Sequence, residues 1–62
     1  MAQLTSKELS TIEDQLHLEE NLVSKFRNYA QVTNDATLKN KYEQIAKKHE
    51  EHYFTLYSYL KA

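Results

Sequence analysis

The sequence predicts an all-α protein, and three observations lead to that fold class. The 62-residue chain has no glycine and no proline, so it lacks the residues that most often interrupt helices. Apolar residues recur in steps of three and four along two long stretches, as they do on one face of an α-helix. One turn-like cluster, Thr33-Asn34-Asp35, separates the stretches. We therefore predict a single domain, residues 1–62, in which two helices pair as an antiparallel hairpin.

The first helix carries a clear start signal. Thr5 and Glu8 have the spacing of a capping box, and Leu4 and Leu9 have the spacing of a hydrophobic staple. The helix is predicted from about residue 6 to about residue 32. Its buried stripe is predicted to contain Leu9, Ile12, Leu16, Glu19, Val23, Phe26, Ala30 and Thr33.

The second helix is predicted from residue 36 to about residue 60. Asp35, or alternatively Asn34, is placed to cap its first turn. The stripe predicted to face the first helix contains Leu38, Tyr42, Ile45, His49, His52, Leu56 and Tyr59, and Ala46, Tyr53 and Leu60 widen it. Both helices have more apolar surface than one partner helix can cover. We therefore predict a homodimer in which two hairpins form a four-helix bundle.

Composition excludes several classes of function. A formal net charge of −1 does not favour nucleic-acid binding, and no apolar run is long enough to cross a membrane. Without glycine there is no phosphate-binding loop, and no serine is set against a histidine for nucleophilic catalysis. We expect a soluble, cytoplasmic protein that is not an enzyme.

The middle of the hairpin is predicted to contain a polar cluster. Residues equally distant from the turn lie at similar heights, which places Glu19 opposite His49 and Leu16 near His52. Carboxylate and imidazole groups are ligands for zinc, iron or manganese, so Glu19, His49 and His52 are candidate metal ligands. The alternative is a hydrogen-bonded pair that satisfies two polar groups and sets helix register. The sequence leaves both open, so the cofactor is predicted to be either none or a divalent transition metal.

Other polar and aromatic residues receive weaker predictions. His17 is expected to be solvated, and Glu20 could turn inward as an additional ligand. Phe54 and Tyr57 point away from the predicted stripe, either as scattered surface aromatics or as a contact in a larger assembly. The remaining glutamates interleave with lysines on exposed faces: Glu43, Glu50 and Glu51.

Several of these positions resemble the Coat F type of ferritin-like spore coat protein. The resemblance lies in Glu19-Glu20-Asn21-Leu22, Phe26, Ala30, Asn34-Asp35, Leu38, Ile45 and His49, and covers nearly the whole chain. It implies half of a ferritin-like bundle, completed by a second chain, with spore coat proteins as further partners and the spore coat as its location. The family's metal pattern has Glu-x-x-His on the second helix, whereas here the residue three before His49 is Ala46. The bridging carboxylate is missing, which argues against oxidase or iron-storage activity.

Three functions follow from these observations. The first is a non-enzymatic structural or assembly protein associated with spores. The second is a ferritin-like metal-binding protein with Glu19, His49 and His52 as ligands. The third is a small regulatory hairpin that docks on a partner through Phe54 and Tyr57.

Overall fold

The computed structural model describes residues 3–61, which form two α-helices packed as a hairpin. Helix α1 runs Ser6–Val32 and helix α2 runs Ala36–Ser58. No strand occurs within residues 3–61, so this part of the chain is all-helical as predicted. Neither helix has, in those residues, an apolar stretch long enough to span a bilayer.

Local side-chain contacts set the start of each helix. The Thr5 hydroxyl accepts from the Glu8 backbone N–H at 3.1 Å, and the Glu8 carboxylate accepts from the Thr5 N–H at 2.9 Å. This confirms the predicted capping box. At α2 it is Asp35, rather than Asn34, that caps, because its carboxylate accepts from the Leu38 N–H at 3.0 Å. Each cap satisfies a backbone donor that the helix leaves without a partner.

Helix α2 ends at Ser58, slightly before the predicted end at about residue 60. The last backbone bonds run from Tyr59 to Leu56 at 3.1 Å, from Leu60 to Tyr57 at 2.9 Å and from Lys61 to Ser58 at 3.3 Å. A bond to the third preceding residue is the 3₁₀ pattern, so the chain tightens into a turn instead of continuing as an α-helix.

The surface of α2 that faces α1 differs from the predicted one. Ala46 is completely buried, whereas Leu38, Ile45 and Tyr59 are 42%, 36% and 49% exposed. The helix is therefore rotated so that Ala46, not Ile45, lies at the closest approach. A methyl group lets two helix backbones come nearer than a larger side chain does, which favours this rotation.

The hairpin has a thin core and an elongated shape. Leu16, Ala30 and Ala46 are its buried apolar residues, and no large side chain within residues 3–61 is completely buried. The radius of gyration is 14.5 Å. A compact chain of 62 residues would have ~11 Å, and one of twice that length ~14 Å. The extents of 47 × 16 × 11 Å show that the large radius of gyration comes from the elongation of the hairpin.

Candidate functional site

A buried carboxylate at the middle of α1 organises the candidate site. Glu19 is 5% exposed, and thirteen residues of α1 lie on either side of it. Its Oε1 lies 2.5 Å from Nδ1 of His49 in a side-chain hydrogen bond. Its Oε2 lies 3.3 Å from Nδ1 of His52. The structure thus brings together all three residues that the sequence proposed as ligands.

His52 lies closer to Glu19 than predicted. Counting residues from the turn predicted that His52 would lie near Leu16, which is one helical turn from Glu19. The spacing of three residues puts His49 and His52 on one face of α2, and both rings turn toward the same carboxylate. Each oxygen of the Glu19 carboxylate therefore faces one imidazole nitrogen.

Aromatic rings fix the position of the two imidazoles. The His49 ring stacks on Phe26, with centroids 6.4 Å apart and planes at 11°. His52 meets His49 edge to face, with centroids 5.5 Å apart. The Phe26 ring also contacts Tyr42, which restricts its movement. The imidazoles are held by packing as well as by Glu19.

The geometry is compatible with a metal ion. One potential ligand atom from each of Glu19, His49 and His52 can be chosen so that the three atoms lie within 4.8 Å of one another. One carboxylate oxygen and two imidazole nitrogens form a donor set suited to zinc and other divalent transition metals. Ala46 contributes no donor, so the set fits a single metal ion and does not fit a carboxylate-bridged pair of ions.

The same contacts also suit a purely structural role. Within residues 3–61, no buried side-chain nitrogen or oxygen lacks a hydrogen-bond partner. Glu19 is therefore satisfied by histidine without a metal, as the hydrogen-bonded alternative requires. A metal ion would take the place of these hydrogen bonds, because the same carboxylate oxygens and ring nitrogens would serve as its ligands.

The cluster lies on one side of the hairpin, which we call the apolar face. On α2, Leu38, Ile45, His52 and Tyr59 follow one another at intervals of seven residues, about two helical turns, so they lie along the same side of that helix. On α1, Leu22 and Tyr29 have the same spacing. The apolar face comprises these six residues. Tyr29 and Tyr42 link the two helices along this face at a centroid distance of 5.5 Å. Apart from the central cluster, these side chains are hydrocarbon or aromatic, so the face is largely hydrophobic.

The other side of the hairpin, the polar face, has a different character. Arg27 and Glu50 form an ion pair at 3.1 Å that joins the two helices there. Glu20 lies on this face beside Tyr53, together with Ser24 and Phe54, and it is not part of the Glu19, His49 and His52 cluster. Burial raises the pKa of Tyr53 above 10.0, and the negative charge of Glu20 adds to that effect.

The Arg27–Glu50 pair was not predicted from the sequence, in which Glu50 has the pattern of an exposed residue among lysines. Their side chains are 52% and 41% exposed, which limits the stabilisation from the pair to ~0–1 kcal/mol. His17 is exposed, as predicted, and so are Phe54 at 62% and Tyr57 at 40%.

Comparisons with protein-family models, with curated proteins and with solved structures find no match for this chain. The resemblance to the Coat F type of protein therefore stays a prediction. The functional interpretation rests on the geometry of the hairpin.

Proposed function

We propose that this chain is a small, non-enzymatic assembly protein whose working unit is a homodimer. Two hairpins bring their apolar faces together and form a four-helix bundle. The observation that carries this proposal is the exposure of large hydrophobic side chains on one face. Leu38, Ile45 and Tyr59 are all more than a third exposed, although they lie beside the core of a protein with very little core.

The surface area of the hairpin supports a partner of this size. The chain exposes 5004 Å². A compact monomer of 7.4 kDa would expose ~4200 Å², so the hairpin has an excess of ~800 Å². A standard protein interface buries about that area on each partner. One further copy is therefore enough to cover the excess.

A second copy also suits the position of the polar cluster. Glu19 is the central residue of α1, and His49 lies two residues beyond the centre of α2. A twofold axis through the middle of the bundle would place the two clusters close to each other and pair apolar ends with apolar ends. A different partner protein with an evenly apolar groove would instead place hydrocarbon against Glu19 and the histidines, and burying polar groups in that way is unfavourable.

Sedimentation equilibrium of Ile45→Glu and Phe54→Glu tests this arrangement. Ile45→Glu puts a charge in the apolar face and should convert the dimer to a monomer at micromolar concentration. Phe54→Glu is the matched control, because Phe54 is more exposed but lies on the opposite side of the hairpin. If Phe54→Glu were monomeric and Ile45→Glu remained dimeric, the interface would lie on the polar face. That result would contradict the proposal.

Association with the spore coat follows from the resemblance alone. If the dimer is a coat component, exposed aromatics such as Phe54 and Tyr57 provide contacts outside the bundle. A pull-down from sporulating cells that survives changing both residues to serine would remove that part of the proposal.

The second candidate function is binding of one divalent transition metal ion by Glu19, His49 and His52. The convergence of one carboxylate and two imidazoles favours it. Calorimetric titration of metal-free protein with zinc chloride should give one ion per chain, and His52→Ala should remove most of the affinity. His17→Ala is the control, since it deletes an exposed histidine that is not in the cluster.

Nitrogen-15 NMR of the imidazoles provides a structural readout of the same site. Nδ1 is the ring atom nearest Glu19 in both His49 and His52. Zinc bound within the cluster should therefore shift the Nδ1 resonances of these two residues and leave His17 unchanged. Shifts of equal size in all three histidines would indicate nonspecific binding and contradict the site.

A further inference from the structure

The metal cluster and the proposed dimer interface occupy the same surface. His52 lies on the apolar face and its side chain is 56% exposed, while the His49 side chain is 25% exposed. Docking a second copy on this face would remove water from both imidazoles. Metal binding and dimer formation therefore cannot be independent events.

We propose that a divalent metal ion bound by Glu19, His49 and His52 controls dimer formation, with each site closed by the partner hairpin. This inference rests on the proposed dimer and adds the means by which its formation is regulated. The chemical class of the ligand is a divalent transition metal ion such as zinc.

Desolvation of the imidazoles gives the direction of the coupling. Without metal, pairing two apolar faces would remove water from the His49 and His52 rings, whose side chains are 25% and 56% exposed, and ring nitrogens that lose water need other partners. A divalent cation at each cluster would take up one nitrogen lone pair of each imidazole. The repulsion between the two clusters does not decide the direction, because a carboxylate alone has a charge of −1 and a carboxylate with a divalent cation has a charge of +1. Metal binding should therefore favour the dimer.

The coordination number shows how the partner would act on the site. Each cluster supplies three protein ligands, whereas a zinc site commonly has four. The His52 ring, 56% exposed, lies on the side of the hairpin that the partner would cover. The partner hairpin would therefore limit how well water reaches an ion held by Glu19, His49 and His52.

Thermodynamic linkage makes the coupling between metal binding and dimer formation measurable in two ways, from the metal affinity and from the dimer dissociation constant. Each dimer would hold two ions, so if metal lowers the dimer dissociation constant by some factor, dimer formation must tighten metal binding at each site by the square root of that factor; the factor is typically ~5–150-fold for coupled sites. A titration of metal affinity and a titration of dimer dissociation therefore report one quantity.

The test measures the dimer dissociation constant by sedimentation, first with a chelator and then with one equivalent of zinc chloride. Zinc should lower that constant by ~5–150-fold in the unaltered protein and in His17→Ala, and should leave it unchanged in His52→Ala. Ile45→Glu retains all three ligands, so it should still bind zinc, with an affinity per site reduced by the square root of that factor, ~2–12-fold. Circular dichroism establishes that each variant remains helical.

The outcomes separate this inference from the proposals beneath it. One zinc ion bound per chain with an unchanged dimer dissociation constant overturns the inference and leaves both the dimer and the metal site standing. Zinc bound by a chain that stays monomeric at every concentration overturns the dimer and the inference together. Zinc that weakens the dimer overturns the inference by reversing its sign.

Discussion

The pairing of Glu19 with His49 leads to a quantitative prediction for a double-mutant cycle. Glu19→Leu leaves the His49 imidazole beside hydrocarbon, and His49→Leu leaves the Glu19 carboxylate buried without that partner. Each single change should destabilise the hairpin. Changing both to leucine should restore much of the stability, because a well-packed apolar pair often replaces a buried polar pair without loss.

The expected coupling energy follows from the geometry. The pair is a 2.5 Å hydrogen bond to a carboxylate that is 5% exposed, and bonds to charged groups contribute ~1.5–3 kcal/mol. The His52 contact adds little, since its side chain is 56% exposed and water competes for it. The net stability of 62 residues is only ~3–9 kcal/mol, so the coupling is a large part of it.

Urea denaturation followed by circular dichroism measures this coupling. All four proteins are compared in chelator at one protein concentration, because both metal and dimer formation would shift the midpoint. A control cycle combines Glu19→Leu with His17→Leu instead of His49→Leu. It should give a coupling energy within ~0.5 kcal/mol of zero. The same near-zero value for Glu19 and His49 would show that the contact does not stabilise the fold and would refute the reasoning.

Three further predictions concern packing, capping and the polar face. Ala46→Glu should unfold the hairpin at neutral pH in thermal melts, because over-packing costs ~1–3 kcal/mol and a buried carboxylate costs several kcal/mol more. Ala46→Gly should cost only ~1 kcal/mol. A folded Ala46→Glu protein that binds two metal ions would contradict this prediction. Thr5→Ala should cost ~1 kcal/mol at neutral pH. The backbone and hydroxyl of Thr5 hold the pKa of Glu8 below its ordinary value of 4.5, so the part of the capping box made by the Glu8 carboxylate is present above about pH 4.5 and is lost as the pH falls below that value; a deficit in Glu8→Ala that stays constant down to pH 2 in urea melts would argue against it. Arg27→Ala should lower the free energy of unfolding by less than ~1 kcal/mol, and a larger loss in urea would show that its pair with Glu50 is stronger than its exposure suggests.

The features that could be predicted from sequence depend on fixed local geometry. Thr5, Glu8 and Asp35 identified the helix starts because a capping side chain has a fixed distance to the backbone donors of the first turn. The Glu19–His49 contact could be predicted because helical rise is constant and the connection at residues 33–35 is short.

Helix rotation and long side chains were harder to predict. Apolar residues cover a wide arc of α2, so the pattern could not distinguish Ile45 from Ala46 as the residue nearest α1; packing decided in favour of the smaller one. Arg27 reaches Glu50 across the hairpin through a flexible side chain, and such pairs do not follow from matching backbone levels.

The most direct test of the central claim is the mass of the native chain in solution. The monomer has a mass of 7.4 kDa. If the apolar face pairs with itself, sedimentation equilibrium at micromolar concentration with zinc present should give twice that mass, in a helical protein. A folded 7.4 kDa monomer under the same conditions would contradict the dimer.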